Sequence, residues 1–168
     1  MYQVVTKAIE KSISEFTCDG FDGLDPRKAY VFVSNHRDIV LDTSLLNVAL
    51  YDNHLSMTAS AMGDNLLRKK YLKILAMLNR NIIIYRSLPP REALEHSKLV
   101  SEYIYHCITE EHRNVWIAQR EGRTKNGDDR TQQGVLKMLT LNAPEDISPL
   151  QYLKTLNLVP MSISYEFD

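Results

Sequence analysis

A histidine and two carboxylates lie close together in the sequence, at His36, Asp38 and Asp42. A neutral imidazole can take a proton from a hydroxyl group at neutral pH. A carboxylate bound to its other ring nitrogen fixes the tautomer and stabilises the imidazolium that forms. The pattern therefore predicts general-base catalysis by His36, with Asp42 or Asp38 as the orienting partner.

The residues around His36 predict where in the fold it lies. Tyr30 to Val33 is a β-branched and aromatic run typical of a buried strand, and the apolar residues after Asp38 recur at helical spacing. These helical positions are Val40, Leu41, Leu45, Val48 and Ala49. We therefore expect His36 in a strand-to-helix turn, where α/β proteins present reactive groups.

Five short apolar runs, beginning near residues 30, 55, 81, 114 and 158, alternate with helix-like segments. This alternation predicts an α/β fold with a largely parallel central sheet flanked by helices. The length and composition suit one domain over residues 1–168, with an N-terminal helix and connector over 1–19 and a catalytic core over 20–168. The carboxyl ends of the strands would bring His36, Arg86, Glu121 and Arg123 to one edge of the sheet.

Composition narrows the classes of partner. The net charge of -1 gives no reason to expect nucleic acid. No run reaches the roughly 18 apolar residues that span a bilayer, and the first residues lack a signal-peptide pattern, so we expect no membrane-spanning segment. Cys18 and Cys107 lie in unlike contexts that suit reduced thiols, so we expect a cytoplasmic protein. The two cysteines and the histidines at 96, 106 and 112 lack metal-site spacing. We therefore expect neither a metal nor a cofactor.

Two further segments carry clustered positive charge. The loop from Gln119 to Arg130 combines glycine with arginine and lysine, which fits a phosphate-binding loop and a solvated loop equally well. The segment Asn65 to Leu78 has helical apolar spacing at Leu66, Leu67, Leu72, Leu75 and Leu78, and a basic flank of Arg68, Lys69, Lys70 and Lys73. Such a flank is usually a solvated surface, but it also suits anionic lipid head groups.

The stretch around His36 resembles the first signature block of the glycerolipid acyltransferases, which is Asn-His, four variable residues and Asp. Here Asn35 and His36 are followed by Asp42, with five residues between His36 and Asp42. On a regular helix the extra residue turns the carboxylate by roughly 100° and advances it by about 1.5 Å. Asp42 is the favoured partner because Leu41-Asp42 matches the usual end of the block, and Asp38 stays a rival.

Three later blocks of the same family also have counterparts, in the family's order. The second is an apolar strand that ends in arginine, as in Ile82 to Arg86. The third has a Glu-Gly centre, as in Glu121 to Thr124, although Arg120 replaces the proline that precedes it in the family. The fourth is a proline between apolar residues, as in Val159 to Met161. The resemblance therefore extends over nearly the whole chain from Gly20 onward.

The resemblance implies an enzyme of phospholipid biosynthesis that acylates a hydroxyl of glycerol 3-phosphate or 1-acylglycerol 3-phosphate. The donor would be acyl-CoA or acyl carrier protein, attacked directly without a covalent enzyme intermediate. Membrane contact would be peripheral, as the lipid product requires. The implied substrate-binding residues are Asn35 and Pro160 around the histidine, Glu121 and Gly122 in the acceptor pocket, and Arg86, Arg123 and Lys125 on the acceptor phosphate.

Several alternatives remain open from the sequence. The acceptor could be another lyso-lipid, such as one with an amino-acid head group. The shifted spacing could instead mark a non-catalytic lipid or membrane-binding module. A metal-dependent hydrolase would use His36, Asp38 and Asp42 as ligands. Because the chain stops a few residues after the fourth block, a further C-terminal region in a larger protein is one more expectation.

Overall fold

A five-stranded parallel sheet forms the centre of the computed structural model, which describes residues 6–7, 11–67, 69–124, 128–130 and 132–166. The strands run in the order β3-β2-β4-β1-β5, and every pair of neighbours is parallel. Their bounds are Val31–Ser34 (β1), Thr58–Gly63 (β2), Ile82–Ile84 (β3), Asn114–Ala118 (β4) and Leu158–Met161 (β5).

Five α-helices in the described part of the chain accompany the sheet, and short 3₁₀ turns cover Phe21–Gly23 and Asp64–Leu67. The helices are Leu41–Asp52 (α1), Lys70–Leu78 (α2), Pro90–Thr109 (α3), Gln133–Leu139 (α4) and Pro149–Thr155 (α5). The predicted α/β fold with a parallel sheet and flanking helices is confirmed. The helix predicted within residues 1–19 lies largely outside the described residues.

Alternate residues of the central strands supply two hydrophobic cores, one on each face of the sheet. On one face Val31 and Val115 pack with Ile104 of α3 and Leu139 of α4. On the other face, the core is built mainly by aromatic strand residues and α1, through Tyr30, Phe32, Trp116, Leu46 and Leu50. Burial on both faces explains why these strands read as continuous apolar runs instead of alternating ones.

Two predicted elements differ in their bounds. The strand expected from residue 55 begins at Thr58, because the chain after α1 first makes a tight turn in which the Leu55 N–H donates to the Leu50 carbonyl. The side chain of Asn47 then accepts from the Thr58 N–H, 2.7 Å away, and fixes where the strand starts. The helix expected over residues 65–78 divides into the 3₁₀ turn and α2.

Because the strands are parallel, their carboxyl ends lie at the same edge of the sheet, and the segments that follow β1 and β4 meet there. The Gln119 N–H donates to the Ser34 carbonyl over 2.7 Å, which joins the segments leaving β4 and β1. The Thr124 N–H donates to the His36 carbonyl over 2.9 Å. The charged loop after β4 is therefore held directly against the histidine turn. Among the described helices, none combines the length and apolar character that crossing a membrane requires.

Candidate active site

His36 and Asp42 form a hydrogen-bonded pair at the carboxyl edge of the sheet. The Nδ1 atom of His36 lies 2.8 Å from Oδ2 of Asp42, whose side chain is completely buried. The ring of Trp116 stands edge-on to the imidazole, with 5.6 Å between the ring centroids. Because Nδ1 is engaged by the carboxylate, Nε2 is the ring nitrogen left to accept a proton from a substrate.

The extra residue between His36 and Asp42 is absorbed by irregular backbone. The helix α1 begins only at Leu41, so most of the intervening residues form a turn instead of a helical face. The Asp42 carboxylate closes this turn by accepting the backbone N–H of Arg37 at 2.8 Å and that of Asp38 at 3.0 Å. The regular-helix geometry assumed from the sequence therefore does not apply here.

Asp38 stabilises the start of the helix. Its Oδ1 atom accepts the N–H groups of Val40 and Leu41, each at 2.8 Å. Partial burial by itself raises the pKa of Asp38, but these N–H donors and the positive charge of Arg123 outweigh it, so the pKa is lowered overall. The structure thus places Asp42 on the imidazole and gives Asp38 a capping position, while their catalytic roles remain predictions.

Tyr165 is a site residue that sequence reasoning missed. Its hydroxyl donates to Oδ1 of Asp42 over 2.8 Å. Burial raises the pKa of Tyr165 strongly, and the hydrogen bond to Asp42 and the negative charges of Asp42 and Asp38 raise it further. The phenol therefore stays protonated at neutral pH and serves as a permanent donor. No sequence signal pointed to it, because it joins Asp42 across more than a hundred residues.

Asp129 is a second residue that the sequence did not reveal. Its carboxylate accepts from the Thr124 hydroxyl and from Nδ2 of Asn35 at 3.2 Å, and it pairs with the Arg37 guanidinium at 3.0 Å. The Thr124 hydroxyl is the main cause of the lowered pKa of Asp129. This carboxylate therefore joins the charged loop to the histidine turn.

Asn35 binds backbone in this structure. Its side chain accepts from the Ile163 N–H and donates to the Ile163 carbonyl, both over 2.7 Å. This two-way pairing holds the segment after β5, which carries Tyr165, against the histidine turn. Asn35 therefore lies beside His36 and binds backbone there, and its roles in the site and on substrate stay predictions.

Arg86 and Glu121 belong to the second and third sequence blocks, and they contact each other in the structure. Their side chains form an ion pair of 3.2 Å. The Arg86 guanidinium and the Asn65 side chain both lie close to Gly63, and a Cβ atom at Gly63 would come within 3 Å of Oδ1 of Asn65 and of Nε of Arg86. Gly63 was not singled out from the sequence. A glycine at the end of a predicted strand was the available signal, because glycine often marks a place where another group approaches the backbone closely.

The remaining predicted residues have distinct positions. Gly122 has φ +74°, a left-handed conformation that favours glycine. Arg123 is exposed and lines the cavity described below, whereas Lys125 lies outside the described residues. Pro160 pairs with Val33 in register on the edge strand β5, a position that suits proline because it has no N–H to donate to a neighbouring strand.

A cavity of about 1230 Å³ opens beside Asp42, the partner of His36. Asp38, Asp42, Arg123 and Thr124 of the histidine turn and the charged loop line it. Its lining is mixed in polarity, and the apolar residues in it are Ile13, Phe16, Phe21, Leu24, Phe32, Leu41, Leu45, Leu46, Ala49, Val159, Met161 and Ile163. The cavity exceeds the roughly 300–1,000 Å³ of typical small-molecule pockets, and a mixed lining of this kind suits an amphipathic molecule.

Within the described ranges, no three or more His, Cys, Asp or Glu side chains are placed to hold a metal ion.

Comparison with known proteins adds a separate finding. A protein-family model described as Acyltransferase matches residues 15–164 of the 168-residue chain. The match includes His36, Asp42, Arg86, Glu121 and Pro160. A search of curated proteins found no match.

Proposed function

The chain belongs to the acyltransferase family, and we propose that it moves a fatty acyl group from an acyl thioester to a hydroxyl of glycerol 3-phosphate or 1-acylglycerol 3-phosphate. The observation that carries this proposal is the hydrogen bond between His36 and the fully buried carboxylate of Asp42. It supplies an oriented base, and Asp42 also lines a large cavity of mixed polarity. The product would enter phospholipid biosynthesis.

In the proposed reaction, Nε2 of His36 removes the proton of the acceptor hydroxyl as the oxygen attacks the thioester carbonyl. Asp42 stabilises the imidazolium that results. When the tetrahedral intermediate collapses, the carbon–sulfur bond breaks and the thiolate of CoA or of acyl carrier protein leaves. The imidazolium returns its proton to that thiolate, so no covalent enzyme intermediate, metal or cofactor is needed.

The acceptor phosphate would be bound by Arg86 and Arg123, with Lys125 as an auxiliary. In the structure Arg86 is paired with Glu121, so an incoming phosphate competes with a carboxylate for the same guanidinium. Gly122 has no side chain and a left-handed conformation that favours glycine, so a ligand can approach the backbone at this point of the loop. Glu121 and Gly122 would thereby shape the acceptor pocket.

The apolar part of the cavity would hold the acyl chain. Its lining by α1, β5 and the segment around Phe16 places hydrocarbon next to the Asp38–Asp42 turn. Because donor and product are amphipathic, we propose that the protein works in the cytoplasm and touches the membrane surface peripherally.

The test is release of thiol from a panel of donors and acceptors. Acyl-CoA and acyl carrier protein thioesters would each be combined with glycerol 3-phosphate, with 1-acylglycerol 3-phosphate, and with glycerol as the matched acceptor without phosphate. We expect acceptor-dependent turnover with a phosphate-bearing acceptor only. Turnover confined to a lyso-lipid with another head group would favour that alternative, and inactivity with every pair would favour a non-catalytic binding module.

A further inference from the structure

The helix α2 turns large apolar side chains away from the protein. Tyr71, Ile74, Met77 and Leu78 are 61%, 49%, 61% and 75% exposed, whereas Ala76 is buried against the domain. The sequence pattern put Leu78 on the apolar face of a helix over residues 65–78, and the structure turns Leu78 out to solvent. One short helix thus carries four large apolar residues that fold stability does not explain.

These four residues lie close together on the helix surface. Ile74 is followed three and four positions later by Met77 and Leu78, and Tyr71 precedes Ile74 by three positions. Residues three and four apart are neighbours on a helix. The exposed apolar residues therefore form one continuous patch.

Positive charge flanks this patch on one side. Lys69, Lys70 and Lys73 are exposed beside it, and the sequence contains no acidic residue between Asp64 and Glu92. In the part of the chain that the structure describes, no ion pair engages these three lysines. The patch therefore combines exposed hydrocarbon with uncompensated positive charge.

We propose that α2 docks this protein on an anionic lipid surface, with Tyr71, Ile74, Met77 and Leu78 in the interfacial region and the lysines at the phosphate level. Long lysine stems allow the ammonium groups to stay with the head groups while the apolar side chains enter. A second copy of the chain fits this face poorly, since it would present the same basic helix and would supply no carboxylate from this segment to the lysines.

The place of α2 in the fold suits this role. The helix follows the carboxyl end of β2 through the Asp64–Leu67 turn, so its first residues lie toward the edge of the sheet that holds His36. The inference rests on the proposed function, since with either proposed acceptor the acylated product is a lipid that enters a membrane. Its test is independent of catalysis.

The experiment is co-sedimentation of the full chain with vesicles of equal parts phosphatidylglycerol and phosphatidylcholine, and with vesicles of phosphatidylcholine alone. We expect binding to the anionic vesicles that weakens as salt is added. Replacing Lys69, Lys70 and Lys73 by Gln should lower the binding constant at least about tenfold, since each lysine near an anionic surface contributes roughly fivefold. The double variant Ile74→Ser and Met77→Ser should lower it by about tenfold as well.

The control is the double variant Leu94→Ser and Leu99→Ser, which removes apolar residues exposed to 50% and 60% on α3. It should bind anionic vesicles like the wild type. Equal binding by the α2 variants and the wild type would overturn the proposal, as would an equal loss in the control. A dimer in solution that the α2 variants dissociate would assign the patch to a second copy instead.

Turnover of a short-chain, water-soluble acyl-CoA without vesicles separates this proposal from the proposed function. The α2 variants should keep wild-type turnover there. If the protein binds vesicles through α2 but shows no turnover, the docking surface is supported and the proposed enzymatic function is contradicted. Circular dichroism would show that each variant is folded.

Discussion

At the scale of single residues, the Asp42 carboxylate organises the site. It is completely buried and engages His36, the backbone of Arg37 and Asp38, and the Tyr165 hydroxyl. A buried carboxylate needs such donors, because an ionised group without them would be very costly away from water. The same donors fix the direction in which it meets the imidazole.

The hydroxyl of Tyr165 should tune the base through Asp42. Replacing Tyr165 with Phe removes one donor, which leaves more negative charge to stabilise the imidazolium of His36. We expect the acidic limb of the kcat/KM profile to move to higher pH by up to about one unit. The measurement is the pH profile of the variant beside the wild type. An unchanged profile with lower activity at every pH would show a purely structural role.

The raised pKa of Tyr165 also predicts a dependence of stability on pH. A phenol whose pKa is higher in the folded state stabilises the fold at pH values below about 10, where tyrosine in the unfolded chain is still protonated. That contribution is lost as the pH rises above this value. Urea titrations should therefore show a steeper alkaline loss of stability in the wild type than in Tyr165→Phe.

At the scale of elements, the start of α1 and the end of β2 position the charged groups. Asp38 satisfies two N–H groups at the start of α1, and Gly63 leaves room for the Arg86 guanidinium. Changing Asp38 should therefore affect the stability of the fold, whereas changing Gly63 should affect the position of Arg86.

Loss of the Asp38 cap should weaken the fold. We expect Asp38→Ala to lower the free energy of unfolding by about 1 kcal/mol at neutral pH. Because the pKa of Asp38 is lowered in the folded state, this contribution is present above about pH 4 and disappears as the pH falls through the folded-state pKa. Urea unfolding at pH 7 and pH 3 measures it. An equal difference at both pH values would contradict the capping role.

A side chain at position 63 should disturb phosphate binding. In Gly63→Ala the new Cβ atom would meet both the Asn65 side-chain oxygen and the Arg86 guanidinium at under 3 Å, so these two side chains must shift. We expect KM for the phosphate-bearing acceptor to rise roughly tenfold, as for a weakened charge-assisted hydrogen bond, with little change in kcat.

Gly134→Ala is the matched control for this change, because a Cβ atom at Gly134 meets no atom within 4 Å. Steady-state kinetics on both variants would decide the point. Equal KM values in Gly63→Ala and the wild type would argue against a phosphate-binding role for Arg86.

At the scale of the whole molecule, the sequence predicted the parallel sheet with flanking helices that the structure shows. That the carboxyl edge of this sheet is catalytic stays a prediction. The β-branched runs at Val31 and Val115 lie on central strands, and their apolar character reports burial on both faces. Local patterns of this kind encode which face of an element is covered. They do not encode which side chains meet across the fold, so Tyr165 on Asp42 and Asp129 on Arg37 were not foreseen. The outward turn of Leu78 was missed for the same reason.

The central claim is that His36, oriented by Asp42, is the base of an acyl transfer. The most direct measurement is acceptor-dependent thiol release by His36→Ala, Asp42→Asn and Asp38→Asn beside the wild type, with folding checked by circular dichroism. We expect losses of at least about 10²-fold in His36→Ala and Asp42→Asn, and a much smaller loss in Asp38→Asn. Turnover that survives in folded His36→Ala, or that depends on Asp38 and not on Asp42, would contradict the account.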